Sequence, residues 1–249
     1  MLLPVLRAAT RQILETTHLL GVARRLKARL LSREPPFTPC TPHLLIAVHR
    51  SLRLCLEHGQ AEGSDYLEFG VYRGFTLWYA QALITDLGIR DMRCFGFDSF
   101  AGLPRPTGVD KSSQEPGFHK GAFAVSRATV EAHLTRQQTD WSRTTLIEGW
   151  YDDTLVPQTR AKYGLRRCSI CVVDCDLYES ARRVLEFVEP LLADGSILLF
   201  DDWNAYQRDP NKGEQRAFGE LLKRRPDIRA EPLMDFPGQG QGFVLKFER

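Results

Sequence analysis

The sequence predicts an α/β protein: a doubly wound, Rossmann-like sheet, mostly parallel, with a C-terminal antiparallel hairpin and an N-terminal helical arm. Three observations predict it. Short apolar runs such as Ser196-Ile-Leu-Leu-Phe-Asp201-Asp202 and Ser169-Ile-Cys-Val-Val-Asp174 read as strands buried on both faces. These runs alternate with segments of helical periodicity, the pattern of a parallel sheet covered on both sides. Two late strand-like pieces flank Phe236-Pro-Gly-Gln-Gly-Gln, a turn-rich linker that reads as a hairpin.

Residues 2–31 carry Leu6, Ile13, Leu14, Leu20, Leu26 and Leu30 at helical spacing, with arginines between them. This predicts a basic amphipathic arm that packs on the domain, pairs with a second subunit or touches a membrane surface. The three prolines of Ser32–Pro39 read as a linker, so residues 1–39 form the arm and 40–249 the main domain. A helix is expected from Pro42 to Glu57. Strands are expected at Tyr66–Gly70, Arg93–Asp98, Thr145–Glu148, Ser169–Asp174 and Ser196–Asp201, with the hairpin at Arg229–Met234 and Gly242–Phe247. Helices follow at 75–87, 126–138, 178–192 and 214–224, and Gly88 reads as a helix C-terminal glycine. Residues 99–122, rich in Pro, Gly and Ser, are too long for an ordinary connection and read as a lid or a disordered segment.

The charge balance of +2 over 249 residues gives no general argument for nucleic acid. It is uneven, however. Residues 1–39 hold seven basic residues against two acidic ones, a local +5 that leaves −3 for the remainder. No apolar run approaches the ~20 residues of a membrane span, and Arg7 interrupts the opening leucines, which argues against a signal peptide. The six cysteines are scattered in apolar contexts and predict reduced core thiols and a cytosolic compartment. Cys168 and Cys171 form a C-x-x-C, but on a regular strand residues three apart point to opposite faces.

The chemistry is expected at the strand ends, because ligands of open α/β sheets bind beyond the strands' carboxyl ends. Asp174, Asp201 and Asp202 crowd carboxylates there, which is unfavourable unless a cation or a shared proton relieves it. An oxygen-loving metal such as Mg2+ is the economical reading. Asp201 and Asp202 can both face one site only if the strand has ended there. The first turn, Glu68-Phe-Gly70-Val-Tyr72-Arg-Gly74-Phe-Thr76, lets a ligand approach backbone and helix N-terminus. It lacks the G-x-G-x-x-G spacing of dinucleotide folds, and Glu68 suits a cofactor with a cationic amino group, as in S-adenosylmethionine. Asp98, ending the second strand, stands where an adenosine ribose is held, or else caps a following turn. Gly149 and Trp150 end the third strand, where an adenine slot competes with core packing. Asp176 reads as the N-cap of the helix near Tyr178. His119 reads as an exposed lid residue, with a role as substrate contact or alternative base held open.

The segments Leu67-Glu-Phe-Gly-Val-Tyr-Arg-Gly74, Phe97-Asp-Ser-Phe-Ala-Gly-Leu-Pro104, Glu148-Gly-Trp-Tyr-Asp-Asp-Thr-Leu155, Asp174-Cys-Asp-Leu-Tyr-Glu-Ser180 and Leu199-Phe-Asp-Asp202 resemble the macrocin O-methyltransferase family. The resemblance runs from about Thr41 to Phe247. It implies a class I, S-adenosylmethionine-dependent, metal-assisted enzyme that methylates sugar hydroxyls in antibiotic biosynthesis. Glu68, Gly70 and Gly74 would contact the methionine end of the cofactor, with Tyr72 and Thr76 in the same turn. Asp98 would hold the ribose, Ser99 would lie near the adenine, and Gly149 and Trp150 would line its pocket. Asp174, Asp201 and Asp202 would bind Mg2+, and Asp174 would also act as general base. The chain departs from the family at Cys175, at Ala181 and in Trp203–Glu214, which bears on the acceptor more than on the chemistry. The partner is then a small-molecule or glycosyl acceptor, with a homo-oligomer formed through the arm as a further expectation. Two other classes stay open: a nucleotide-binding oxidoreductase on a similar sheet, and a cofactor-binding module without catalysis.

Overall fold

The computed structural model describes residues 37–39, 41–112, 117–236 and 240–248. The arm expected over residues 1–39 lies outside the described residues apart from its last three.

The chain runs α1 (Pro42–Glu57), β1 (Ser64–Phe69), α2 (Phe75–Asp86), β2 (Met92–Asp98), α3 (Arg127–Arg136), β3 (Thr144–Glu148), two short helices α4 (Tyr151–Thr154) and α5 (Pro157–Tyr163), β4 (Cys168–Val173), α6 (Tyr178–Val188), β5 (Ile197–Phe200), α7 (Gly213–Arg224), β6 (Ile228–Phe236) and β7 (Gly240–Phe247). The seven strands form one sheet in the order β3-β2-β1-β4-β5-β7-β6. The first five are parallel, and β7 inserts antiparallel to both β5 and β6. Strand order reverses between β1 and β4, and that switch point locates the ligand crevice. The short helices α4 and α5 carry no sequence periodicity of their own and escape the reading from sequence.

Strand alternation divides the core. Tyr66, Ile170, Val172, Ile197 and Leu199 face α1, α2 and α3. Leu67, Phe69, Val173, Leu198 and Phe200 face α6 and α7. Phe37, at the start of the described chain, packs its ring on Phe75, Trp78 and His133.

β4 breaks the alternation once. Asp65 pairs with Cys168 but Tyr66 pairs with Ile170, so Ser169 is an extra residue, a bulge. Cys168 and Cys171 therefore lie in the same buried layer, which corrects the expectation of opposite faces. Both thiols are free and fully buried, as are Cys55 and Cys94. No described helix is long and apolar enough to cross a membrane.

Candidate active site

A cavity of about 570 Å3 opens at the carboxyl ends of the parallel strands. Its lining joins Gly70 and Tyr72 after β1, Asp98 and Ser99 after β2, Gly149 and Trp150 after β3, Asp174 and Asp176 after β4, and Asp201 and Asp202 after β5. Five strand ends that are far apart in sequence thus meet in one crevice.

The turn after β1 is dictated by close approach. Gly70 has φ +93°, and a Cβ there would collide with the carbonyl oxygen of Asp174. Gly74, at φ +86°, starts α2 in the left-handed conformation. Tyr72 is also left-handed, at φ +49°, and is held there by Asp98. The amides of Val71 and Tyr72 donate to Asp98 Oδ2 at 2.8 and 3.0 Å, and that of Phe100 donates to Oδ1 at 2.7 Å. Burial raises the Asp98 carboxyl above the ordinary carboxylate range, opposed by these bonds. Asp98 thus lines the cavity and also organises both turns around it. Ser99 Oγ donates to the Gly102 carbonyl at 2.9 Å and accepts from the Ala101 amide. Trp150, 40 % exposed, forms an open wall of the cavity, and Arg183 pairs with Asp152 on its rim at 2.9 Å.

Three residues assigned to the cofactor do not reach the cavity wall. Glu68 shares its strand face with Tyr66, whose hydroxyl donates to Glu68 Oε2 at 2.7 Å, and it is enclosed beneath the turn. Burial pushes its carboxyl up to about 8. Gly74 and Thr76 belong to the start of α2.

The opposite wall is acidic. Asp174 is half-buried at the cavity wall, and desolvation first, then Asp201, Asp202, Asp176 and Glu214, raises its carboxyl well above the ordinary value. Burial raises Asp176 to about 7, countered by a hydrogen bond with Asp202, and Asp201 to about 6, countered by a bond from Thr41. Thr41 Oγ1 donates to Asp201 Oδ2 at 2.9 Å, while Asp201 Oδ1 is buried without a partner. Among the described residues, no Arg or Lys pairs with Asp174, Asp176, Asp201 or Glu214.

The strand has indeed ended at the aspartate pair. Asp201 N–H still continues the ladder to Val173 O at 3.1 Å. Asp202 N–H instead donates to Glu214 Oε2 at 3.0 Å, and both side chains line the cavity. An all-oxygen carboxylate set with an orphaned buried oxygen has the donor chemistry of a hard divalent cation. No three His, Cys, Asp or Glu side chains among the described residues already stand arranged around a single metal position.

Asp176 does not cap α6. It is left-handed (φ +63°), its carbonyl accepts from Tyr206 Oη at 2.7 Å, and its side chain joins the acidic wall. The cap comes from Asp110, in the 3-10 turn Gly108–Ser112. His119 is exposed, bonded to its neighbour's carbonyl, and off the cavity wall. Asp110, Thr41, Tyr206 and Glu214 escape the reading from sequence, because each acts through a partner between 12 and 160 residues away.

Residues 38–215 match the model of the macrocin-O-methyltransferase (TylF) family. The chain is 30 % identical over 183 residues to the 8-demethyl-8-(2,3-dimethoxy-alpha-L-rhamnosyl)-tetracenomycin-C 4'-O-methyltransferase of Streptomyces olivaceus, covering 70 % of this chain and 67 % of that protein. It is 28 % identical over 174 residues to the mycinamicin III 3''-O-methyltransferase of Micromonospora griseorubida, covering 66 % of each. In fold it is similar to the calicheamicin methyltransferase CalS11, with TM-score 0.68, 24 % identity, and coverage of 92 % of this chain and 93 % of that one. The oxidoreductase alternative is thereby set aside. The chain belongs to the macrocin-O-methyltransferase family and is an S-adenosylmethionine-dependent O-methyltransferase.

Proposed function

We propose that the enzyme methylates a hydroxyl of a glycosyl unit on a small-molecule metabolite, with Mg2+ held by Asp174, Asp201 and Asp202 and with Asp174 as general base. The observation that carries this reading is the junction of two unlike walls in one cavity. One wall is a glycine turn with Asp98, Ser99, Gly149 and Trp150; the other is a cluster of carboxylates in which Asp174, Asp176 and Asp201 have no basic partner among the described residues. The relatives' names refer to a rhamnosyl group with 4'-O-methylation and to mycinamicin III 3''-O-methylation, which supports a sugar hydroxyl as acceptor.

An alcohol is about as weakly acidic as water, so it is a poor nucleophile at neutral pH. A bound divalent cation supplies Lewis acidity that lowers that pKa. Asp174, at the end of β4, takes the acceptor proton on a carboxylate oxygen as the acceptor oxygen bonds to the methyl carbon. S-adenosylmethionine held in this cavity would supply the methyl group and leave as the neutral thioether. Gly70, Tyr72 and Asp98 orient the donor, and Gly149 and Trp150 flank its adenine. Orientation of this kind contributes roughly 7–11 kcal/mol in well-placed pairs. The free buried thiols suit a reducing compartment, the cytosol. The basic arm of residues 1–39 is assigned to contact between subunits.

The test uses methyl-labelled S-adenosylmethionine and a panel of rhamnosides and other deoxysugar glycosides. Label on a sugar hydroxyl, lost in excess EDTA and restored by Mg2+, is the expected result. Transfer only to catechols or amines would overturn the acceptor class, and full activity in EDTA would overturn the metal.

A further inference from the structure

Asp110 lies in the long connection between β2 and α3, yet it is only 3 % exposed and lines the cavity. Its two carboxylate oxygens accept from the amides of Tyr178 at 2.9 Å and Glu179 at 3.2 Å. These are the first amides of α6, whose N-cap position, Leu177, offers no side-chain cap. Helix-start amides need acceptors, and a carboxylate there also meets the positive end of the helix dipole. A local cap residue would have sufficed for that. Here the acceptor is brought 68 residues from another loop.

The position of that loop gives the bond its consequence. The first turns of α6 present Glu179, Ser180 and Arg183 to the cavity, and the preceding turn carries Asp174 and Asp176. The same loop lines the cavity through Leu103, Arg105 and Thr107. It is folded back on itself by Leu103 N–H to Ala122 O and Gly121 N–H to Leu103 O, both 2.9 Å. A second attachment lies at Phe118, whose ring meets Tyr206 at 5.9 Å, and Tyr206 in turn holds the Asp176 carbonyl.

We propose that Asp110 is a positioning residue for methyl transfer: it clamps the loop roofing the cavity to the turn that carries Asp174. Roof and acidic wall then move as one unit, and the demethylated cofactor leaves only when the Asp110 bonds break. This rests on the reading of the cavity as the cofactor and acceptor site.

The experiment measures release of S-adenosylhomocysteine from the full chain by stopped-flow fluorescence, with Trp150 as a cavity-lining reporter, alongside tryptic cleavage after Lys111 and Lys120. Asp110→Ala should speed release on the order of tenfold, the equivalent of about one charge-assisted bond, with association little changed. It should also speed cleavage of the product-bound protein. Asp110→Asn, which keeps one acceptor oxygen, should fall between. Ser126→Ala removes the side-chain cap of α3, away from the cavity wall. It controls for the loss of a helix cap and should lower the melting temperature without faster release. If Asp110→Ala behaves like Ser126→Ala, Asp110 is a cap and nothing more, and the proposal fails. Should Asp110→Ala not fold, unchanged release in Asp110→Asn is equally decisive against it. A wild type that binds no S-adenosylhomocysteine would sink the cavity assignment first, and this proposal with it.

Discussion

Gly70 and Asp174 meet backbone to backbone. The Asp174 amide donates to the Phe69 carbonyl at 2.9 Å, and any Cβ on Gly70 would overlap the Asp174 carbonyl oxygen. The turn proposed to present the cofactor and the turn that carries the proposed base are therefore in direct contact across the β1–β4 switch point. Their separation is set by main chain, which cannot repack as side chains do.

Gly70→Ala should destabilise the protein by on the order of 2–4 kcal/mol, from left-handed strain plus overpacking. Urea unfolding measures this directly. Titration calorimetry should show cofactor binding lost even where the variant folds. A folded variant with unchanged affinity would show that the turn has room to move.

Asp98→Ala leaves three amides, those of Val71, Tyr72 and Phe100, without their acceptor. Cofactor affinity and stability should both fall, each by about 1.5–3 kcal/mol or more. Asp98→Asn should recover part of the stability, since its oxygen still serves one side of the turn. A normal melting temperature for Asp98→Ala would mean that these bonds are replaceable by water.

Glu68 makes stability depend on pH. Its folded carboxyl sits at about 8, against an ordinary 4.5. Between those values the native state keeps a proton that the unfolded chain has lost. Stability should therefore fall as pH rises through that window and level off above it, with a slope of up to about 1.4 kcal/mol per pH unit. Glu68→Gln removes the ionisation and should flatten this part of the profile in urea titrations at several pH values. An unchanged slope would assign the effect to the acidic wall instead.

Asp174→Asn and Asp201→Asn should keep the fold and cofactor affinity, because the contacts proposed for the donor lie after β1, β2 and β3. Methyl transfer should drop at least ~10²-fold in each. Added Mg2+ should rescue chelated wild type but neither variant. An Asp201→Asn enzyme with full Mg2+ response would remove that residue from the metal site.

The sequence by itself determines the strand ends. Apolar runs, glycines in the first turn and the acids at 98, 174, 201 and 202 are local signals, and main-chain sterics convert them into strands and turns without outside help. The crevice at the β1–β4 switch follows from the same alternation. Only the tertiary structure decides which way each acid faces. Glu68 turns under the sheet because its parity matches Tyr66. Cys168 changes layer because Ser169 bulges. Asp202 leaves the ladder because Glu214 receives its amide. Asp110 reaches Tyr178 and Thr41 reaches Asp201, 68 and 160 residues apart. Partners at such separations leave no periodicity in the chain; packing brings them together, and the need of buried polar groups for a hydrogen bond selects which ones meet.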